Sequence, residues 1–297
     1  MTIKTAPSTL PISIAPQAPI KPGFVRQFIR NPQAMIGLII VLIIIGMAVS
    51  ADFITTFSPT RPAPRDRFIE PNSLHILGTD QLGRDVFTKM VFGARVSLVV
   101  GLAAVTLSAL VGSTLGALAG YFGGWVDSII SRLTDTFLAI PGLVLTIGIV
   151  SVLGAGLDRL VLAIAVSSWP FYSRLMRSSF IAIKEQQYIE AALSIGVRTP
   201  RIMIRHILPN ALGPVMVVMT ISTAGAILTE AGLSFLGIGL EPSTPTWGRM
   251  LAEAQQYIRQ YAYLSIFPGL GIMLFTLGFN MLGEGLRDLL DPRQKKR

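Results

Sequence analysis

The chain has 297 residues, 51% hydrophobic and 14% charged, with a mean hydropathy of +0.61 and a formal net charge of +9. Soluble domains carry roughly 25% charged residues, so these figures exclude an ordinary soluble enzyme. They indicate an integral membrane protein, whose cationic excess reads first as topology rather than nucleic-acid binding. Cysteine is absent and the two histidines, His75 and His206, lie far apart, which rules out disulfides and thiolate sites and argues against a His-based metal or catalytic centre.

Residues 1–23 hold Pro7, Pro11, Pro16, Pro19 and Pro22 without apolar periodicity and read as a disordered cytoplasmic tail. Phe24 to Gln33 is short, basic and amphipathic, suited to the membrane surface. The two together form a non-membrane segment, 1–33, ahead of a transmembrane domain, 34–297. Span one is predicted from Met35 to Ile54 and is followed by a polar loop to about Gly93. In that loop His75-Ile-Leu-Gly-Thr-Asp-Gln-Leu-Gly-Arg-Asp-Val86 ends in a helix start, with Thr79 or Asp80 as the cap.

Span two, Ser97 to Tyr121, carries Gly112, Gly116 and Gly120 at four-residue spacing. Glycines on one face let a second helix approach closely, either inside the bundle or at a seam with another subunit. Gly123 to Asp135 reads as a polar excursion before span three, Thr136 to Gly154; a short turn then leads to span four, Leu160 to Phe171.

Next comes a polar, knob-forming region, about 172–208. Its centre, Lys184 to Asn210, places Glu185 and Glu190 ahead of Arg198, Arg201 and Arg205. Tyr188 to Ile195 favours helix, Gly196 is a stop, Thr199-Pro200 reads as cap and first turn, and Pro209 closes the second helix. Two short helices at an angle make a compact projection for which the chain holds no socket.

Span five, Ala211 to Leu228, runs into Thr229-Glu-Ala-Gly-Leu-Ser-Phe-Leu-Gly-Ile-Gly-Leu-Glu-Pro-Ser-Thr-Pro-Thr-Trp-Gly248. Glu230 is the carboxylate most exposed to membrane cost, either part of a solute pathway or gate, or bonded to a neighbouring hydroxyl such as Thr229 or Ser234. Span six, Ala262 to Leu282, is followed by Gly283-Glu-Gly-Leu-Arg-Asp-Leu-Leu-Asp-Pro-Arg293 and a basic tail. With six spans and both ends inside, Lys and Arg divide 16 inside to 9 outside, 25 in total, and the knob falls in the cytoplasm. None of the six lysines follows a glycine, so no P-loop exists here and any ATP is handled by another chain.

Glu190-Ala191-Ala192, Gly196 and Leu208-Pro209 together resemble the EAA loop of ABC importer permeases, with His206 where that pattern usually has Ile. The Leu-Gly-Thr-Asp and Gly-Arg-Asp strings, the Thr229–Gly248 string and the Gly283–Arg293 string resemble the dipeptide, oligopeptide and nickel branch, specifically the subunit with a long external loop after span one. The resemblance covers the chain from about Leu74 onward.

It implies an all-α polytopic membrane protein of the type I ABC importer permease fold, in the bacterial cytoplasmic membrane. It also implies a second homologous permease, two ABC ATPase subunits that carry ATP and Mg, and an extracytoplasmic substrate-binding protein, all set in membrane lipid. The ATPase-coupling set would be Glu190, Ala191, Ala192, Gly196, Arg198, Arg201, Arg205, Leu208 and Pro209. Glu190 would anchor or cap at the ATPase groove, the alanines would allow close approach, and Gly196 would permit the bend. No catalytic residue and no metal site is expected in the chain. A stand-alone secondary transporter would instead need ionisable residues in mid-span and broken helices in matching halves. The external loop has an alternative reading as a packed cap without ligand contact, and the knob as a plain amphipathic linker.

Overall fold

The computed structural model describes residues 24–290; the N-terminal tail 1–23 and the basic tail 291–297 lie outside the described residues. Among the described residues all regular elements are helical, and strand-like pairing is limited to one bridge, Thr79 to Asp85.

Helix α1 (Phe24–Arg30) leads to α2 (Pro32–Val49), whose cap Asn31 accepts from the N–H groups of Gln33 and Ala34 while Pro32 occupies the first turn. A single turn, α3 (Ala51–Ile54), completes the predicted span one. Helix α4 (Val86–Phe122) has 37 residues. At 1.5 Å per residue that is about 55 Å, well beyond a hydrocarbon core of ~30 Å. The sequence places span two from about Ser97 and, separately, a helix start inside the preceding loop with Thr79 or Asp80 as its cap. The helix instead starts at Val86, and Asp85 caps it by accepting from the Thr88 N–H at 2.8 Å.

The expected excursion before span three is itself a helix, α5 (Gly124–Leu138), and span three proper is α6 (Gly142–Leu153), the two bent by 88°. Pro141 sits in the break; it lacks an N–H and biases Ile140 away from helical geometry, so one straight span from Thr136 is not available. Helix α7 (Leu157–Lys184) continues past Phe171 to Lys184, so the polar loop is shorter than 172–208.

After α8 (Gln187–Ser194) come α9 (Thr199–Ile202), a wide π turn at Met203–Ile207, and α10 (Leu208–Phe235). These last three run as one helix, Thr199–Phe235. Pro209 therefore does not close a second short helix. The Leu208 N–H bonds Met203 O, five residues back, and the widened turn gives the proline ring room it lacks in a regular helix. Helix α11 (Trp247–Ala254) and α12 (Tyr263–Leu290) end the described chain.

Among the described residues four helices are long and apolar enough to cross a membrane, Pro32–Val49, Val86–Phe122, Thr199–Phe235 and Tyr263–Leu290, and the bent α5–α6 pair raises this to five. Helix α4 is the spine. A Cβ added at Gly112 would collide with the carbonyl oxygen of Trp169, at Gly116 with that of Ser173, and at Gly120 with that of Arg177. The glycine ridge is thus filled by α7 of the same chain, which leaves no room there for a second subunit.

Both sequences rise together across that contact, so α4 and α7 are parallel. Gly101 meets Ile227 while Ser97 meets Glu230, which makes α10 antiparallel to α4. Ala34 meets Gly285 and Gly37 meets Leu282, which makes α12 antiparallel to α2. These directions gather the 55–85 loop, α11 and the start of α12 at one end of the bundle. The α8–α9 knob and the end of α12 lie at the other, where Leu290 approaches Gly213.

Candidate coupling site and the opposite-end clasp

The knob begins where α7 stops. Lys184 donates to the Tyr121 carbonyl at 2.7 Å and lies over its ring, which fastens the end of α7 to the end of α4. A cation at helix-terminal carbonyls is the electrostatically favoured placement. Helix α8 then runs from Gln187 and ends in a Schellman arrangement. The Val197 N–H bonds Ala192 O at 3.1 Å, the Gly196 N–H bonds Leu193 O at 2.9 Å, and Gly196 takes φ +80°. The second helix starts one residue earlier than the sequence suggested: Arg198 holds the cap position in extended geometry and Thr199 is already helical.

Ile189, Ile202 and Ile207 are fully buried and tie the knob into the core formed by α4, α7 and α10. The outward face carries the expected coupling residues. Glu190, Ala191, Gly196, Arg198, Arg201 and Arg205 are exposed, Ala192 and Leu208 are half-buried, and Pro209 is exposed. Ile195 is 81% exposed beside Tyr188 and Leu193, which are also exposed. None of Glu190, Arg198, Arg201 and Arg205 has an ion-pair partner among the described residues. Apolar side chains and unpaired charges on a rigidly anchored projection form a surface suited to a protein partner.

The opposite end is built the other way. Asp80 accepts from Arg84 Nε at 2.8 Å, from Lys89 Nζ at 2.8 Å, and from the backbone N–H groups of Leu82 and Arg84. Glu253 of α11 accepts from Arg84 at 2.7 Å, Lys89 at 2.8 Å and Gln81 at 3.2 Å. Burial alone would raise the Asp80 carboxyl, but Lys89 and Arg84 together hold it below the usual carboxylate range, and the same balance holds for Glu253.

Beside this cluster, His75 lies 3.0 Å from Asp85, Trp247 donates to Met90 O at 2.9 Å, and the Tyr263 hydroxyl donates to Thr79 O at 2.8 Å. The two sequence strings around residues 75–86 and 229–248 therefore meet in space and clasp the loop to α11 and α12. Residues 78–80 and 83–85 of the loop are buried in this clasp, whereas most of 55–74 is exposed. Lys89 and Glu253 were missed in the sequence, since they are 164 residues apart and neither stands in a local motif.

Glu230 lies near the end of α10, on the bundle side of the clasp. It is fully buried, with Ser97 Oγ donating at 3.0 Å and Ser234 Oγ at 2.7 Å, and Thr246 stands beside it. Thr229, the other expected neighbour, donates to Gly225 O instead. Among the described residues no cluster of three or more His, Cys, Asp or Glu is arranged to hold a metal ion.

Against known families, residues 112–296 match the binding-protein-dependent transport system inner membrane component, and residues 23–72 match the N-terminal TM domain of oligopeptide transport permease C. The chain belongs to this family of transport permeases. Among its relatives, the dipeptide transport system permease protein DppC of Alkalihalophilus pseudofirmus is 44% identical over 270 residues, 91% of this chain and 89% of the relative. The glutathione transport system permease protein GsiD of Pectobacterium atrosepticum is 41% identical over 273 residues, 92% of this chain and 91% of that protein. A chain of the inward-facing MetNI methionine ABC transporter superposes with a TM-score of 0.55 at 19% identity, covering 70% of this permease and 97% of that chain, which shows a shared fold.

This protein is thus a multi-pass ABC importer permease, and the family's dependence on a binding protein implies substrate-binding and ATPase components beside it.

Proposed function

We propose that this permease supplies half of the translocation pathway of an ATP-driven importer for dipeptides or a related small peptide solute, and that the knob couples it to cytoplasmic ATPases. The knob carries the reading: an exposed apolar and charged projection, rooted by three buried isoleucines, whose arginines have no ion-pair partner among the described residues. The substrate class follows from the relatives, whose names carry dipeptide and glutathione transport.

In this reading the four long apolar helices, the bent α5–α6 pair and the apolar first half of α7 make six crossings. Both termini and the knob face the cytoplasm, and the clasp faces outward in a bacterial cytoplasmic membrane. The chain is not itself an enzyme. ATP and Mg²⁺ bind two separate ATPase subunits under the knobs of this chain and of a second homologous permease, while a substrate-binding protein docks on the clasp side. Glu190 anchors at the ATPase groove, Arg198, Arg201 and Arg205 meet its acidic groups, and the alanines permit close approach. Closure of the ATPase pair moves α8, and the buried isoleucines pass that movement to α4, α7 and α10, biasing a two-state bundle. Glu230 borders this moving core, bonded to α4 through Ser97, and we assign it a gate-holding role.

The test is mild-detergent purification of the tagged chain from its own membrane. A second permease and P-loop ATPases in the same complex support the reading; a lone chain or homo-oligomer overturns it.

A further inference from the structure

Midway along the bundle, α4, α6, α7 and α10 line a half-open cleft of about 360 Å³, within the span of small-molecule sites, about 300–1,000 Å³. Its walls carry hydroxyls from all four helices: Ser108, Thr146, Ser167, Ser168, Ser222 and Thr229. Among the described residues no Asp, Glu, Lys, Arg or His lines it. Apolar side chains such as Leu143, Ile164 and Phe171 stand between these hydroxyls.

The protons of these hydroxyls are largely committed. Ser108 donates to Ala104 O at 2.6 Å, Ser167 to Ala163 O at 2.8 Å and Thr229 to Gly225 O at 2.9 Å, each one turn back on its own helix. Thr146 stands 2.8 Å from Gly142 O and 2.9 Å from Ser167 Oγ, with one proton for the two. A hydroxyl that has donated keeps acceptor lone pairs, so this wall presents oxygens that receive hydrogen bonds. Tyr172 adds a donor. Its ring is 1% exposed, yet its hydroxyl lacks a hydrogen bond of proper geometry although Ser222 is beside it. A buried hydroxyl left without a partner is destabilising, and a partner entering the cavity would relieve that.

We infer that this cleft is the stretch of solute route contributed by the present chain, and that it handles a polar solute through hydroxyl contacts with no fixed charge. The inference rests on the permease reading above and adds to it a recognition chemistry. The solute's N–H or ammonium groups meet the Ser and Thr oxygens, an acceptor on the solute meets Tyr172, and the charge on the solute's side chains goes unread. A wall without fixed charge passes acidic and basic members of a solute class alike, leaving selection to another component.

The natural absence of cysteine makes the test direct. Ser168→Cys and Ser222→Cys, both near-isosteric, are introduced singly into the whole transporter, purified with its companion chains and reconstituted in proteoliposomes. Each is reacted with a cationic and an anionic methanethiosulfonate, nucleotide-free and trapped with ATP and vanadate. Leu162→Cys, on the exposed apolar surface, is the lipid-facing control. Both cleft cysteines are expected to react in at least one state while the control stays unlabelled. Normalised to a free thiol in solution, the two reagent rates should agree within about tenfold, whereas one fixed charge about 6 Å away at an effective dielectric near 20 would speed one and slow the other by about a hundredfold each.

Absence of labelling at both positions in both states, with ATPases present and active, overturns the inference and leaves the permease reading intact. A hundredfold preference for one sign of reagent overturns the neutral wall. A preparation that contains no ATPase is the distinct failure of the underlying reading, and cleft labelling in it is still read for or against an aqueous cavity.

Discussion

At one end of the bundle Asp80, Arg84, Lys89 and Glu253 are largely withdrawn from water and bonded to one another. At the other, Glu190, Arg198, Arg201 and Arg205 stand in solvent with no ion pair among the described residues. The two sets hold similar residue types and opposite relations to the chain. Charges satisfied internally fix the fold of their own subunit; charges left open on an anchored projection carry information only for something outside it. Substitutions at the clasp should therefore act on stability, and those at the knob on assembly.

The largest stability effect is expected for Lys89→Ala. Removing one cation from a buried cluster leaves carboxylates undercompensated, and breaking such pairs costs about 3–5 kcal/mol; the thermal midpoint of the solubilised protein reads this. The pH dependence has a defined sign. Asp80 and Glu253 have carboxyls held below their ordinary values, so their contribution is present above the unfolded values of about 3.9 and 4.3 and is lost as pH falls through the lower folded ones. Acid should loosen the loop 55–85 first, seen as new proteolytic cleavage there, and Lys89→Ala should flatten that dependence.

Gly116→Val comes next. Its side chain would meet the Ser173 backbone, and overpacking of this kind costs about 1–3 kcal/mol, again read from the thermal midpoint. Gly196→Val is smaller in stability, about 1–2 kcal/mol for a residue forced into left-handed geometry. It should nevertheless separate ATP hydrolysis from uptake, and normal uptake by this variant would count against the bend at Gly196. Glu190→Ala should change stability by less than about 0.5 kcal/mol, as exposed substitutions do, yet weaken retention of the ATPases. Unchanged co-purification would remove Glu190 from the coupling set.

Much of this was legible in the sequence because it is local. The apolar runs gave the long helices, the Glu190–Gly196 pattern gave α8 and its stop, and the glycine spacing gave the close face of α4. What was misplaced depends on distant partners. The sequence signals a helix start ahead of α4 but not its continuity into span two, because Lys89 and Arg95 look solvent-bound, whereas Lys89 finds Glu253 on α11 and Arg95 finds Ala48 O and Asp52 near the end of span one. Helix α5 was read as an excursion because its polar residues include Asp127 and Asp135, which are paired with Arg177 and Arg174 of α7. The continuity through Pro209 was hidden by the proline itself; a π turn, which has no strong sequence signal, removes the conflict. The hydroxyl-lined cleft was invisible for a related reason, since its side chains come from four helices and each alone looks like an ordinary Ser or Thr in a span.

The central claim is that the knob is a docking element for a separate ATPase and the clasp is not. Since the chain is free of cysteine, one cysteine at Ile195 on the knob and, separately, one at Leu74 beside the clasp, both exposed, can be cross-linked in native membranes with a short bifunctional reagent. The account expects Ile195→Cys to capture a P-loop ATPase chain and Leu74→Cys to capture none. An ATPase adduct from Leu74→Cys, or none from Ile195→Cys in membranes where the complex is assembled, would contradict it.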